Sequence, residues 1–328
     1  MRIAIVGATG AVGQELLALL AERDVPVTSL RAFASARSAG RTVVFRGTPI
    51  AVEPLPDDGD LGADVVFSSA GGAVSKAQAW AWASHGAVVI DNTSAWRLDP
   101  RVPLVVPEVN PGAIAEHRGV IANPNCSTIL ALLALAPLHR AFGLTRATVA
   151  TYQAVSGAGQ AAIGELFAQT RGVLAGEPAR PERFPHPIAF NLFSHDSEVG
   201  VDGYNLEERK LLFESRKILA LPELRVSATC VRVPVARAHA EAIHAEFARP
   251  VTEAEARAAL AEAPGVLLVD DREGNRFPMP LDASGRDEVL VGRVREDASL
   301  PGAIALFLAG DQIRKGAALN ALQIAERL

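Results

Sequence analysis

Cysteine is almost missing from this chain: Cys126 and Cys230 are the two in 328 residues. A disulfide framework is thereby excluded, and a reducing cytoplasm becomes the default compartment. An excess of basic charge is missing too. Thirty-two Lys and Arg against thirty-seven Asp and Glu give a formal net charge of -5, so no bulk electrostatic force draws the protein to nucleic acid or to an anionic membrane. Long hydrophobic runs are absent as well. The longest, around Ile129 to Leu138, is well under the roughly 18–20 residues needed to span a bilayer and reads as a buried core helix. Met1-Arg2 leads straight into Ile3-Ala4-Ile5-Val6, without the charged region, apolar region and small-residue cleavage site of a secretory signal, which predicts no export. Nor is there an internal repeat or a low-complexity tract. What is there is 49% hydrophobic and 21% charged, with 27 Gly and 21 Pro. This ordinary globular composition excludes disordered, collagenous and coiled-coil chains. The length suits two domains at roughly 100–200 residues each.

The first third alternates short apolar runs with helical patterns: Ile3–Val6, a helix from Val12 to Leu20, then Val65–Phe67, Val88–Ile90 and Val120–Ala122. Strands apolar on both faces and separated by helices predict a parallel sheet covered on each side, a doubly wound α/β domain. From about Asn125 the texture changes to an α+β pattern with mixed strands. Strands are predicted over Ala147–Val155, Arg225–Val235, Val266–Val269, Glu288–Val294 and Ala303–Leu308. Helices are predicted from about Gly159 to Leu174, from Leu206 to Leu219 behind an Asn205 cap, and from a capping box of Thr252 and Glu255. Lys315–Leu328 reads as an amphipathic helix returning to the first domain. The expected division is 1–124 plus 310–328 for a dinucleotide-binding domain, and 125–309 for a catalytic and dimerisation domain. Pro178–Asp202 and Asp270–Arg276 carry no readable chemistry.

Gly7-Ala8-Thr9-Gly10-Ala11-Val12-Gly13 follows the first strand and opens the first helix. That context turns a glycine pattern into a phosphate site. Without side chains at Gly7 and Gly10 the backbone can turn tightly and approach a pyrophosphate, which meets the positive helix end; Gly13 lets helix and strand pack closely. Near Ala34-Ser35, where an NAD site carries an Asp or Glu for the ribose, none is present. Ser35, Arg37 and Ser38, with Arg31 and Arg41 nearby, predict a positive pocket and NADP over NAD. The plain alternative for Arg37 is a solvated surface arginine.

Asn125-Cys126-Ser127 lies between the strand Val120–Ala122 and the helix Ile129–Leu135. A cysteine at a helix N-terminus, at the C-terminal edge of a parallel strand, is favoured as thiolate. Cys230, inside the apolar run Val226–Val233, reads as an inert buried residue. A thiolate beside a nicotinamide cofactor points to attack on an aldehyde or acyl carbon, a hemithioacetal or thioester, and hydride transfer between them. Among seven histidines, His85, His117 and His139 read as surface residues and His186 lies between prolines. His239, seven residues after Arg232 and near a strand end, is the candidate base.

Together these residues resemble the aspartate-semialdehyde dehydrogenase family over nearly the whole chain. The matching stretches are GATGAVG, SARSAG, NTSAWR ending at Arg97, PNCST around Cys126, YQAVSGAG from Tyr152, EERK at Glu207–Lys210, CVRVPVARAH from Cys230 to His239, PMPLDASGRDEVLVGR, and the final GDQIRKGAALNALQIAE. The resemblance implies a Rossmann-like NADP-binding sheet with a second α+β catalytic and dimerisation domain. It makes Cys126 the acyl-thioester nucleophile, His239 the general acid/base, Gln153 the residue orienting the intermediate, and Asn125 its neighbour. Arg232 becomes the seat of the substrate α-carboxylate, Arg97 and Lys210 the phosphate cations, and Glu207 the carboxylate facing the ammonium. Glu207 and Lys210 also share one helix face, so a simple intrahelical ion pair explains their spacing equally well. Thr9, Ala11, Val12, Ser156, Gly157 and Gln312 complete the implied cofactor contacts, with Gln312 where many members carry Asn. The implied reaction is the reversible NADPH-dependent reductive dephosphorylation of L-aspartyl 4-phosphate to L-aspartate 4-semialdehyde, in lysine, threonine, methionine and isoleucine biosynthesis. No metal, nucleic acid or membrane partner is implied. The expected assembly is a homodimer through the second domain, or a pair of such dimers, in the cytoplasm. Two rivals stand beside it: an N-acetyl-γ-glutamyl-phosphate reductase, which needs no carboxylate for an ammonium, and a non-catalytic NADP-sensing regulator. A short-chain-type reductase is opposed by Ser156 and Glu208, which stand four residues after Tyr152 and Tyr204 where that chemistry needs Lys.

Overall fold

The structure is a computed structural model describing residues 1–35, 38 and 40–328. Arg37 lies outside the described residues. The chain forms two compact units, Met1–Asn125 with Gly316–Leu328, and Cys126–Lys315.

The first unit runs β1 (Arg2–Val6), α1 (Ala11–Glu22), β2 (Ser29–Phe33), β3 (Thr42–Phe45), β4 (Thr48–Glu53), β5 (Val65–Ser68), α2 (Gly72–Ser84), β6 (Val88–Asp91) and β7 (Val120–Ala122). They build one sheet in the order β3-β4-β2-β1-β5-β6-β7. Every neighbouring pair is parallel except the β3–β4 hairpin at the edge. The fully apolar strands are those buried on both faces, as a helix-covered parallel sheet requires. Strand order reverses at β1 and β5, the switch point at which an open α/β sheet presents its ligand crevice. Leu16, Leu19 and Leu20 of α1 share a core with Leu319, Leu322 and Ile324. The last segment differs from the amphipathic helix the sequence predicts. It is a π-helical turn, Arg314–Ala318, followed by a short α-helix, Leu319–Ala325, in which all but Gln323 are buried. A helix buried on nearly every side needs no wet face. Its Asn320 is fully buried, and its amide donates to Val105 O (3.0 Å) and Asn123 Oδ1 (2.7 Å).

The second unit contains α3 (Cys126–Phe142), β8 (Leu144–Gln153), α4 (Gln160–Leu174), β9 (Phe193–Ser194), α5 (Leu206–Leu219), β10 (Arg225–Arg232), β11 (His239–Phe247), α6 (Glu253–Ala261), β12 (Val266–Leu268), β13 (Val289–Glu296) and β14 (Ile304–Gly310). Its sheet has the order β12-β13-β14-β11-β8-β10-β9. β8 pairs parallel with β10 and antiparallel with β11, so the sheet is mixed. Both expected capping residues act as read, with Asn205 and Glu208, and Thr252 and Glu255, forming reciprocal capping boxes. Two strands end two or three residues earlier than the apolar pattern predicts. β8 stops at Gln153 because Val155–Ala158 winds into a 3-10 turn, and β10 stops at Arg232, two residues before Pro234, which has no N–H for a ladder. β11 was not expected at all, yet it lies at the centre of the sheet between β14 and β8.

Register carries the chemistry. Arg232 lies opposite Gln153, and Tyr152 opposite Ala240, so β10 and β8 end, and β11 begins, at one sheet edge. Side chains alternate along a strand. Arg232, Gln153 and His239 therefore form a row on one face at that edge, and Cys230, Thr151 and Glu241, also in register, form the row beneath it.

Candidate active site

In the first unit the glycine turn sits at the switch point. Gly7 has φ +93°, and a Cβ there would lie 2.9 Å from Ser69, the residue following β5. Gly7 and Ala8 N–H both donate to Phe33 O, at 2.8 and 3.1 Å, which ties the turn to β2. A Cβ on Gly13 would come within 2.4 Å of Gly7 O and 2.7 Å of Ala8 Cα, so helix and turn close on each other only without it. Gly10 caps α1 without a side-chain cap. The first-turn amides of α1 are thus presented to a ligand with no side chain capping them, which fits a pyrophosphate. Ser38 N–H donates to Ser35 O (2.8 Å). Arg31 departs from the expected positive pocket. Its guanidinium forms an ion pair with Glu53 (2.6 Å) and stacks on Phe33. The β2–β4 register, which sets Phe33 opposite Glu53, brings this carboxylate alongside.

Arg97 is held on a turn built by its neighbours. Thr93 Oγ1 donates to Asp91 Oδ2 (2.7 Å), Ala95 N–H donates to Thr93 Oγ1 (3.1 Å), and Trp96 Nε1 donates to Ser75 Oγ (3.0 Å). The buried guanidinium donates from Nε to Asn123 O (3.0 Å) and from Nη2 to Asn92 O (2.9 Å). Asp91 is the buried floor of this turn, and burial raises its carboxyl despite the Thr93 hydroxyl that donates to it.

In the second unit α3 starts at Cys126, which is half-buried, while Asn125 just before it is buried. Gln153 Nε2 donates to Ser127 Oγ (3.1 Å) and Thr151 Oγ1 (3.3 Å), tying the first turn of α3 to the end of β8. The next residue, Ala154, donates its N–H to His239 Nδ1 (3.0 Å). A neutral His239 therefore carries its proton on Nε2, which is buried and has no protein partner. Burial, the Arg232 charge and His195, partly offset by Glu207, push the imidazole down to about 3. Gly157 closes over this pair. A Cβ there would lie 3.2 Å from Arg232 Nη1 and 3.3 Å from His239 Cε1. Gln312 clamps the same turn, with Nε2 donating to Ser156 Oγ and Oε1 accepting from Ala238 N–H (2.9 Å).

Arg232 is buried at the end of β10. Nη1 donates to Ala154 O (2.9 Å), and Nη2 donates to Asp196 Oδ1 and His195 Nε2, both at 2.9 Å. Its Cζ lies over the Phe184 ring, 5.6 Å from the ring centroid. On α5, Glu207 and Lys210 do form the intrahelical ion pair, at 2.7 Å, with Glu207 buried and Lys210 half-exposed. Glu207 also acts electrostatically on both His195 and His239, which places its charge beside the row. Cys230 is buried, and burial pushes its thiol far up, as expected for an inert residue.

Three participants escaped the sequence reading. His195 and Asp196 lie in the stretch left unread, and their contact with Arg232 joins an irregular loop to a strand 36 residues on. Glu241 lies on the unexpected strand. Both its oxygens lack a hydrogen-bond partner, the residue is fully buried, and burial holds the carboxyl well above its ordinary value. It sits in the sheet as a neutral acid. Above about pH 4.3 the unfolded chain releases this proton while the folded chain keeps it, so stability falls as pH rises, by up to about 1.4 kcal/mol per unit. Glu241→Gln removes that dependence. Urea unfolding at about pH 4 and at successively higher pH is expected to show the variant gaining on the wild type as pH rises. A gap constant with pH would mean an ionised, paired Glu241.

A doubly wound sheet with a glycine turn at its switch point, joined in one chain to a mixed-sheet unit bearing a cysteine at a helix start beside a His–Arg–Gln row, defines a two-domain dinucleotide-linked oxidoreductase. Two family models match: the semialdehyde dehydrogenase NAD binding domain over residues 2–117 and the semialdehyde dehydrogenase dimerisation domain over residues 135–315. An aspartate-semialdehyde dehydrogenase of Synechocystis sp. is 52% identical over 328 residues, covering 100% of this chain and 97% of the relative. That of Bacillus subtilis is 44% identical, with 100% and 97% covered. The crystal structure of aspartate semialdehyde dehydrogenase II of Vibrio cholerae complexed with ASA superposes with a TM-score of 0.96 at 46% identity, covering 100% and 97% of the two chains. The Candida albicans enzyme with NADP gives 0.78 at 28%, covering 100% and 98%. The chain belongs to the aspartate-semialdehyde dehydrogenase family. Among the described residues no group of three or more His, Cys, Asp and Glu is placed to hold a metal, and no helix is long and apolar enough to cross a membrane.

Proposed function

We propose that this chain catalyses the reversible NADPH-dependent reductive dephosphorylation of L-aspartyl 4-phosphate to L-aspartate 4-semialdehyde through a thioester on Cys126. The observation that carries the reading is the Arg232–Gln153–His239 row at one sheet edge, tied through Gln153 and Ser127 to the helix turn that bears Cys126. Cys126 Sγ attacks the acyl carbon and forms the C–S bond as the C–O bond to phosphate breaks. The amides of the first turn of α3 favour the thiolate. Arg232 seats the α-carboxylate with its planar fork, Glu207 faces the ammonium, and Arg97 and Lys210 take the departing phosphate. Gln153 and Asn125 orient the captured carbonyl. His239 holds a proton at Nε2, aimed at the oxygen of the tetrahedral carbon, and Cys126 leaves as thiolate when the aldehyde forms. NADPH, when bound, supplies the hydride that reduces the thioester carbon.

The nucleotide is held by Gly7, Thr9, Gly10, Ala11, Val12 and Gly13, with Ser35, Arg37 and Ser38 on the ribose phosphate. Ser156 and Gly157 complete the cofactor contacts, and Gln312 supports them from behind through its bonds to Ser156 and Ala238. We assign the dinucleotide to the unit containing β1–β7, and catalysis and homodimer formation to the unit containing β8–β14. We propose that the enzyme works in the cytoplasm, where its biosynthetic role would be exercised.

The test is phosphate-dependent reduction of NADP⁺ by aspartate semialdehyde, run beside N-acetylglutamate semialdehyde. Turnover of the first and not the second, lost when phosphate is omitted, is the expected result. Equal turnover of the acetylated aldehyde, or indifference to phosphate, overturns the assignment.

A further inference from the structure

Arg232 presents its guanidinium with the seat already taken. A planar guanidinium accepts a carboxylate bidentately along either of two edges, Nη1 with Nη2 or Nε with Nη2, and Nη2 is common to both. Here one Nη2 hydrogen goes to Asp196 Oδ1 and the other to His195 Nε2, each at 2.9 Å. Nη1 is committed to Ala154 O, whereas Nε is buried with no partner. A bidentate ligand therefore cannot dock on either edge without removing one of these two neighbours.

The two are unequal. His195 is nearly buried, and its Nδ1 lies 3.1 Å from Ser197 Oγ. Burial lowers the imidazole and the Arg232 charge lowers it further, which suits Nε2 as acceptor. Asp196 is the more exposed, with 28% of its side chain open to solvent and water ready to receive its charge. It also carries the same functional group as the ligand that Arg232 is read to hold. Burial opposes its ionisation, but the hydrogen bond and charge of Arg232 outweigh that and hold the carboxyl below its ordinary value.

We infer that Asp196 is a resident carboxylate on Arg232 which the substrate α-carboxylate displaces, so that Asp196 sets the affinity and selectivity of the carboxylate seat. The inference rests on the reading of Arg232 as that seat. An exchange of one carboxylate for another keeps the buried guanidinium paired at every stage, avoiding the cost of an uncompensated buried charge. It also makes ligands without a carboxylate poor competitors, because nothing replaces the ion pair they break.

Asp196→Asn keeps the size and an acceptor oxygen but removes the charge. It is expected to lower KM for aspartate semialdehyde roughly tenfold. The inhibition constant of L-2-aminobutyrate, which has the carboxylate and ammonium but no reacting carbon, is expected to fall in parallel. The change falls on KM and not on kcat, because the competitor is displaced equally in ground and transition states. Asp196→Ala is expected to move both constants in the same direction, which guards against an effect of the asparagine itself. If Asp196 merely props Arg232 in place, both variants raise KM and lower kcat, and the inference is overturned; unchanged constants overturn it equally. Arg232→Lys separates the two levels. A raised KM there with no gain in the Asp196 variants defeats only the displacement, while an unchanged KM in Arg232→Lys defeats the seat itself.

Discussion

Cys126→Ala is expected to abolish turnover in both directions, by at least about 10⁴-fold, with folding intact. The side chain is half-buried at the first position of α3, so losing one sulfur leaves no large cavity. The covalent step has no substitute, because the other thiol, Cys230, is buried two residues before Arg232 in β10 and its proton is held by desolvation. Cys126→Ser tests the electronic part of the argument. A hydroxyl at the same place meets the same helix amides, but those amides cannot bring an alcohol near ionisation at neutral pH. The serine variant is therefore expected to lie close to alanine in rate. Iodoacetamide provides a readout independent of turnover: one label per chain, on Cys126, slowed by substrate. Persistence of phosphate-dependent NADP⁺ reduction in the alanine variant would remove the thioester from the mechanism.

Locally encoded features were readable in the sequence. The glycine turn, the Asn205 cap, the Thr252 capping box, and the placing of Cys126 at a helix start all depend on residues within a few positions of one another, and each is found where the sequence puts it. What was missed depends on contacts between distant segments. β11 reads His-Ala-Glu-Ala-Ile-His-Ala-Glu-Phe, a sequence with too little β-branched character and too much charge to announce a central strand. It is buried there because β8 and β14 flank it and because Glu241 gives up its charge. Arg31 looked available for a phosphate because its partner, Glu53, is 22 residues away on β4 and adjacent only through the sheet. His195 and Asp196 have no periodicity to betray them, since an irregular segment acquires its meaning only when it meets Arg232.

His239→Ala is expected to lower kcat by roughly 10²- to 10⁴-fold, and His239→Gln by less, because glutamine returns an N–H donor near the Nε2 position. The reasoning starts from the main chain. Ala154 N–H points at Nδ1, so an imidazolium, with hydrogens on both nitrogens, loses that bond and sets two N–H groups against each other. Burial and Arg232 act in the same direction. His239 thus rests as a neutral ring whose Nε2–H is an oriented donor, suited to an oxygen on which negative charge develops. The same depression has a consequence for stability. The unfolded chain binds a proton at this residue below about pH 6.5, and the folded chain does so only near pH 3. Between those values the unfolded state holds more protons, so the His239 contribution is fully present above the upper value and lost as pH falls through the window, amounting to roughly 3–5 kcal/mol. The carboxylates that also drive acid unfolding are unchanged in His239→Gln, so the difference between variant and wild type isolates this one ring. Urea unfolding at neutral pH and at about pH 4 is expected to show the variant losing less stability on acidification. Equal losses would mean that the ring titrates in the folded chain much as it does when unfolded, and the oriented neutral donor would have to be abandoned even if the kinetic effect remained.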